Sequence, residues 1–165
     1  MSVPESLAPI FLVDEAATQL LGDVIAPFLR PGMAVLLYGD LGMGKSTLAR
    51  AIIRAISPGV GDVPSPTFTL MQSYDLPGGY RCWHVDLYRI EDVHDIQELG
   101  LDDILDTNIV LIEWPERLGK PLPAHHMACH FAVAPDGAGR MVTMEFSPSL
   151  TALRLQVADA IARAF

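Results

Sequence analysis

The stretch "YGDLGMGKST", residues 38–47, decides the fold class of this chain. It contains the spacing Gly-x-x-x-x-Gly-Lys-Ser, in which Gly39 and Gly44 precede Lys45 and Ser46. Glycines allow consecutive backbone N–H groups to turn inward around a phosphate, and a following helix adds the positive end of its dipole. A lysine here reaches the β and γ phosphates, and a serine hydroxyl is a hard oxygen ligand suited to Mg²⁺. The stretch therefore predicts a phosphate-binding loop.

The sequence on both sides of the loop fits this interpretation. "MAVLLY", residues 33–38, is almost wholly apolar, which is typical of a strand buried on both faces. "STLARAIIRAI", residues 46–56, has the period of a helix and is closed by Pro58 and Gly59. A strand that leads into the loop and a helix that follows it are what phosphate binding by this loop requires.

The rest of the chain alternates apolar strand-like runs with segments of helical period. Strands are predicted at 10–13, 67–76, 80–90, 109–114, 126–134 and 140–146, and further helices at 14–30, 91–106 and 149–164. The turn signals at 77–79 and 135–139 make antiparallel hairpins of the strands on either side. We therefore expect one α/β domain over 1–165, with a mixed central sheet flanked by helices.

Two acidic residues are candidates to complete a magnesium–triphosphate site. Glu113 ends the buried run "NIVLIE", and Asp86 lies in "CWHVDLY", where it shares a strand face with His84. Such a site needs a carboxylate at the end of a neighbouring strand. The alternative for each acid is a strand-end carboxylate that faces water, and for His84 a polar pair or a solvated edge.

The composition argues against several other classes of protein. The formal net charge is −9, and nine arginines are scattered singly, so we expect no strong direct binding of nucleic acid. No apolar run is long enough to span a bilayer, and the first basic residue is Arg30, so we expect a cytoplasmic protein with no membrane association. Cys82 and Cys129 are expected to be reduced, buried thiols. His126 and His130 lie on a predicted strand, where this spacing does not favour a metal site.

Five motifs together point to a known family. They occur in this order: "YGDLGMGKST", "SPTFTL", "HVDLYRI", "ELGLDDIL" and "LIEWPERLG". In combination they resemble the bacterial TsaE (YjeE) family, the ATPase of threonylcarbamoyladenosine modification of tRNA. The resemblance runs from about residue 14 to about residue 146, so the C-terminal helix lies outside it. It implies a single P-loop NTPase domain that uses ATP and Mg²⁺. It also implies a part in attaching threonylcarbamoyl to adenosine 37 of tRNAs that read codons starting with A, together with a TsaD–TsaB pair through which tRNA is reached.

The resemblance also implies roles for individual residues. Lys45, Asp86 and Glu113 are the implied catalytic residues, with Ser46 and Glu113 at the metal. The implied nucleotide contacts are Glu15, Leu41, Gly42, Met43, Gly44, Lys45, Ser46, Thr47, Trp114 and Arg140, with Thr18 beside Glu15 on the adenine side. Arg140 follows the "DGAG" turn, where a lone arginine is also an ordinary surface charge.

Two other functions are compatible with a phosphate loop in a chain of this length. A stand-alone small-molecule kinase is one, although such kinases carry an arginine-bearing lid and the segments after the loop contain no arginine pair. A non-catalytic, nucleotide-gated interaction module is the other, and the two candidate acids argue against it.

Overall fold

The computed structural model describes residues 5–66, 69–119 and 121–165. Within them lies one sheet of eight strands. The strands are β1 (Glu5–Ser6), β2 (Ile10–Leu12), β3 (Ala34–Tyr38), β4 (Met71–Asp75), β5 (Arg81–Asp86), β6 (Ile109–Glu113), β7 (His126–Val133) and β8 (Arg140–Phe146). The α-helices of the described residues are α1 (Glu15–Ile25), α2 (Lys45–Ile56), α3 (Val93–Glu98), α4 (Leu101–Leu105) and α5 (Thr151–Ala164).

The strand that feeds the loop, β3, lies near the centre of the sheet. The strand order is β1-β8-β7-β3-β6-β5-β4, with β2 also paired to β8. Strand β3 is parallel to β6 and β7, and β6 is parallel to β5, whereas β4–β5 and β7–β8 are antiparallel hairpins. This confirms the predicted mixed α/β sheet with two hairpins. The carboxyl ends of β3, β5 and β6 meet at one edge, directly beside the loop.

Both faces of the sheet are covered by hydrophobic packing. Val35 and Leu37 of β3 point into a core shared with α1, α2 and α5, whereas Ala34 and Leu36 point into a second core shared with α3 and α4. All four residues are fully buried. The prediction of a strand buried on both faces is therefore confirmed, and the loop that leaves β3 starts from a rigid support.

Two predicted helices are shorter than the sequence pattern suggested. The helix predicted over 14–30 ends at Ile25 and continues as a 3₁₀ turn, Ala26–Phe28, because Pro27 cannot donate the next helical hydrogen bond. The helix predicted over 91–106 is two helices, since Gly100 has a φ of +67°, which no α-helix contains. Asp14 caps the N-terminus of α1, since its carboxylate accepts from the Ala17 N–H at 2.9 Å.

The first hairpin is also shorter than predicted. Its strands run over Met71–Asp75 and Arg81–Asp86 instead of 67–76 and 80–90. Residues 67–68 of the predicted strand lie outside the described part of the chain. At the other end, a turn follows Asp86, and Ile90 N–H donates to the Leu87 carbonyl. Strand β5 therefore ends at Asp86, and the Asp86 carboxylate lies at the edge of the sheet.

Two predictions about the chain's chemistry can be compared with the structure. Cys82 and Cys129 are both buried free thiols, and burial raises the pKa of each to about 12. They are therefore protonated and unreactive in the folded state. Among the described helices, none combines the length and the apolar character that crossing a bilayer requires.

The contact between α1 and α2 gives a stability prediction. A Cβ atom added at Gly22 would lie 2.5 Å from Ala51 Cβ, too close for the helices to keep their spacing. Overpacking costs about 1–3 kcal/mol, and the better helix propensity of alanine returns about 1 kcal/mol. A contact this short places the cost near the upper end of that range, so we expect Gly22→Ala to lower the free energy of unfolding by about 2 kcal/mol in urea titrations.

Gly61 provides the matched control for this substitution. A Cβ there would meet nothing within 4 Å. Gly61→Ala should change the free energy of unfolding by less than about 0.5 kcal/mol. If Gly22→Ala were as stable as the wild type, the close packing of α1 on α2 would be wrong.

Candidate active site

The loop between β3 and α2 is held against β7 by a close backbone approach. Gly39 has a φ of +139°, and a Cβ there would lie 2.9 Å from Phe131 Cβ and 3.0 Å from the Phe131 carbonyl oxygen. Gly44, with a φ of +110°, is the residue before the first turn of α2. Glycine is required at both positions, because a side chain would be strained at Gly44 and would also clash at Gly39. The loop can therefore present its backbone N–H groups and the start of α2 to an anion.

Lys45 is held inside the curve of the loop. Its Nζ donates to the carbonyl oxygens of Gly39 at 2.5 Å and of Asp40 at 2.7 Å, and it lies 4.4 Å from the centre of the Trp114 ring. Burial lowers the pKa of Lys45, while the neighbouring acids, Glu113 first among them, act in the opposite direction. The ammonium group is thus a partly desolvated cation at the position where a phosphate would contact the loop.

Ser46 and Glu113 are in direct contact, which places two oxygen ligands side by side at the loop. The Ser46 hydroxyl donates to Glu113 Oε1 at 2.7 Å, and His84 Nε2 lies 2.8 Å from Glu113 Oε2. Glu113 is 2% exposed. Burial alone would raise its pKa, but the hydrogen bonds from His84 and Ser46 and the charge of Lys45 hold it below its usual value. Glu113 is therefore an ionised carboxylate beside a hydroxyl, and such oxygen ligands suit Mg²⁺.

Asp86 ends β5 directly opposite Glu113, which ends β6. Its Oδ1 accepts from the Tyr88 N–H at 3.0 Å. Burial raises the pKa of Asp86; the Tyr88 hydrogen bond opposes that increase, and the negative charge of Glu113 adds to it. Two carboxylates of different basicity therefore lie side by side at the end of the sheet, one held ionised and one more ready to accept a proton.

Two cavities flank the loop, and every predicted site residue lines one of them. The first, about 310 Å³, is bounded by residues 41, 42 and 44–47 together with Asp86, Glu113 and Trp114. The second, about 300 Å³, is lined by Met43 and by the other predicted contacts, Glu15, Thr18 and Arg140. Gly42, Gly44 and Thr47 line both cavities. A ligand that follows the loop would pass from one cavity to the other.

The sequence of this chain matches a known protein family. The family model described as "Threonylcarbamoyl adenosine biosynthesis protein TsaE" matches residues 12–141. The chain belongs to the TsaE family. The matched range includes every predicted site residue, from Glu15 to Arg140, whereas α5 lies outside it.

Individual TsaE proteins match over about two thirds of this chain. The TsaE of Rickettsia bellii is 40% identical over 112 residues, 68% of this chain and 77% of that protein. That of Rickettsia felis is 39% identical over 107 residues, 65% of this chain and 62% of that protein. That of Nostoc sp. is 36% identical over 119 residues, 69% of this chain and 72% of that protein.

A solved structure supports the fold independently. Bacillus subtilus YdiB superimposes with a TM-score of 0.76 at 22% identity, over 99% of this chain and 98% of that one. The match extends the structural likeness to nearly the whole chain, including the region outside the family model. The predicted P-loop NTPase fold is confirmed.

The structure of this TsaE-family chain also brings residues to the site that the sequence did not identify. His84 is fully buried and contacts Glu113, so the solvated edge considered for it is wrong, and its observed polar partner is not Asp86. Cys82, two residues earlier on the same face of β5, lies in the core shared with α1 and α2, so this face of the strand is covered. Tyr88 and Arg89 line the first cavity, and the Tyr88 ring lies 4.9 Å from that of Trp114.

The two histidines of β7 have other surroundings. His126 Nδ1 lies 2.7 Å from the Pro123 carbonyl oxygen. His130 stacks on Tyr38 with ring centres 4.5 Å apart, and its Nε2 lies 3.2 Å from Glu145 Oε2. Neither residue lines either cavity beside the loop.

Proposed function

We propose that this chain is a magnesium-dependent ATPase of tRNA threonylcarbamoyladenosine biosynthesis, acting in the cytoplasm with a TsaD–TsaB pair. The observation that carries the proposal is the contact between Ser46 and Glu113 beside a phosphate loop, in a chain of the TsaE family. The family supports the pathway, and the arrangement of the loop and the acids supports the reaction.

Binding of the triphosphate is assigned to the loop, the start of α2 and Lys45. The loop N–H groups and the helix dipole favour an anion, and Lys45 adds a full positive charge. Because Lys45 is already buried, little of its desolvation cost remains to be met when a phosphate arrives. The two carbonyl oxygens that it now contacts would be exchanged for phosphate oxygens.

Binding of Mg²⁺ is assigned to Ser46 and Glu113. Their oxygen atoms match the preference of this ion for hard ligands, and Mg²⁺ is usually held by one or two protein groups together with phosphates. When bound, Mg²⁺ supplies positive charge that offsets the negative charge of the phosphate oxygens. Glu113 contributes by remaining ionised, and Ser46 by lying 2.7 Å from it at the start of α2.

Asp86 is assigned to the water that attacks the terminal phosphate. Its raised pKa suits a group that holds this water by hydrogen bonding and receives its proton.

Asp86→Asn keeps the shape of the side chain and removes its charge, so we expect nucleotide affinity to remain and the rate of ATP hydrolysis to fall about 10²-fold. Asp103→Asn, an exposed change on α4, is the control, and a wild-type rate in Asp86→Asn would identify an ordinary strand-end acid.

Product analysis separates this ATPase from the small-molecule kinase. We expect ADP and inorganic phosphate in equal amounts, with no phosphorylated small molecule. Among the residues that line the first cavity there is one arginine, Arg89, whereas a kinase lid contributes arginines to clamp the phosphoryl group. A phosphorylated acceptor, formed in proportion to ADP, would favour the kinase instead.

We expect the isolated chain to bind tRNA weakly or not at all. Its net charge of −9 repels a polyanion, and bound triphosphate adds negative charge at the site. A gel-shift assay at about 0.15 M salt measures this, because specific contacts survive the screening there. The same assay with TsaD and TsaB present is the control. Tight, saturable binding of tRNA by the chain alone would contradict the assignment of tRNA contact to the partners.

A further inference from the structure

We propose that His84 is a positioning residue that fixes the Glu113 carboxylate for magnesium binding. The inference rests on the proposed function, since it concerns the metal that Ser46 and Glu113 would hold. His84 and Asp86 point to the same face of β5, and their partners in β6 are Leu111 and Glu113. The imidazole therefore reaches Glu113 diagonally across two neighbouring strands, where Nε2 lies 2.8 Å from Oε2.

The two oxygens of Glu113 are held from different directions. Ser46 donates to Oε1 and His84 contacts Oε2, at 2.7 and 2.8 Å. The last torsion of a glutamate side chain has a broad, roughly two-fold preference, so the backbone alone does not fix the plane of the carboxylate. A contact on each oxygen fixes that plane. His84 thereby keeps Oε1 directed to the side of the site where Ser46 and the phosphate loop lie.

The surroundings of His84 indicate which nitrogen carries the proton. Nδ1 is buried and has no hydrogen-bond partner among the described residues, whereas Nε2 faces the carboxylate. A proton on Nδ1 would be a buried donor without an acceptor, and a bare Nε2 would oppose a negative oxygen. The Nε2–H tautomer avoids both penalties, so His84 donates to Glu113.

The effect on magnesium binding can be measured apart from hydrolysis. With a non-hydrolysable ATP analogue present, Mg²⁺ is titrated and bound analogue is followed by calorimetry. Residues that hydrogen-bond to metal ligands typically contribute 10- to 100-fold to metal affinity. We expect His84→Leu to raise the half-saturating Mg²⁺ concentration about tenfold. Affinity for the analogue in EDTA should stay at the wild-type value.

Two further variants separate positioning from packing. His84→Gln places an N–H donor near the original Nε2 and should restore most of the magnesium affinity. Cys82→Ala disturbs the same face of β5 two residues earlier and should leave the magnesium requirement unchanged. Equal losses of magnesium affinity in His84→Leu and Cys82→Ala would overturn the inference, because packing alone would then explain both.

Nitrogen NMR of the imidazole tests the inference in the wild-type protein. This test therefore remains available even if His84→Leu fails to fold. We expect the His84 signal, assigned from its absence in His84→Gln, to report a proton on Nε2. A proton on Nδ1 alone would overturn the inference. If the wild type and a folded His84→Leu variant need the same Mg²⁺ concentration to bind the analogue, the inference is overturned. The proposed function is then left intact, because the wild type still requires Mg²⁺. A wild type that binds the analogue equally with and without Mg²⁺ would overturn both.

Discussion

Lys45→Ala should reduce kcat/KM for ATP hydrolysis by about 10²–10³-fold, while the protein stays folded. The substitution removes the cation inside the loop and leaves the glycines in place. Lys45 Nζ now contacts two loop carbonyls, at Gly39 and Asp40, and the proposed reaction replaces these with phosphate oxygens. We expect weaker ATP binding in calorimetry together with a lower rate of phosphate release.

Arg54→Ala is the matched control for the loss of one positive charge. Arg54 lies in the last turn of the same helix, α2, is exposed, and lines neither cavity beside the loop. Its removal should leave both ATP affinity and turnover unchanged. Wild-type affinity and turnover in a folded Lys45→Ala protein would refute the assignment of the loop to phosphate binding.

Glu113→Gln should reduce ATP hydrolysis by about 10³-fold and weaken the dependence of nucleotide binding on Mg²⁺. Glutamine keeps the shape of the side chain and can still contact His84 or Ser46, but it removes the charge that attracts the metal. The carboxylate is buried, and its pKa is held low by His84, Ser46 and Lys45, so the wild type presents a full negative charge there. Turnover over a range of Mg²⁺ concentrations measures the effect.

Glu91→Gln gives the corresponding control on an exposed side chain of the same type. It should hydrolyse ATP at the wild-type rate at every Mg²⁺ concentration. A Glu113→Gln protein with the wild-type rate and magnesium requirement would show that Glu113 is a structural acid that caps the end of β6.

The loop and its two acids could be predicted because each follows from a local pattern. An apolar run, a glycine loop and a helical period are adjacent in sequence, and no distant contact is needed to interpret them. The proximity of Asp86 and Glu113 required one further step, namely that parallel strands end at the same edge of a sheet. Their register, with Asp86 directly opposite Glu113, agrees with that step.

The contact between His84 and Glu113 could not be predicted because it depends on the strand order. Alternation in "HVDLY" places His84 on the same face as Asp86, but it does not show which strand lies beside them. Only when β6 lies next to β5 does the imidazole face Glu113. The second cavity could not be predicted for the same reason, because Glu15 and Arg140 are brought together by the pairing of β2 with β8.

Element ends were predicted less well where a single residue overrides a periodic pattern. The acidic segment 91–106 keeps a helical spacing of apolar residues through Gly100, so its periodicity alone does not reveal the break. The positive φ at Gly100 divides this segment into two short helices. Pro27 likewise interrupts the predicted helix over 14–30, and the end of α1 becomes a 3₁₀ turn.

The most direct test of the proposed function is the rate of ATP hydrolysis by the purified chain with Mg²⁺, measured alone and after addition of purified TsaD and TsaB. Lys45→Ala serves as the blank in both conditions. We predict a slow rate for the chain alone that lies above the blank, and a further clear rise when both partners are present, with ADP and phosphate formed in equal amounts. A wild-type rate that stays at the Lys45→Ala value in the presence of TsaD and TsaB would contradict the proposal that this chain is their ATPase.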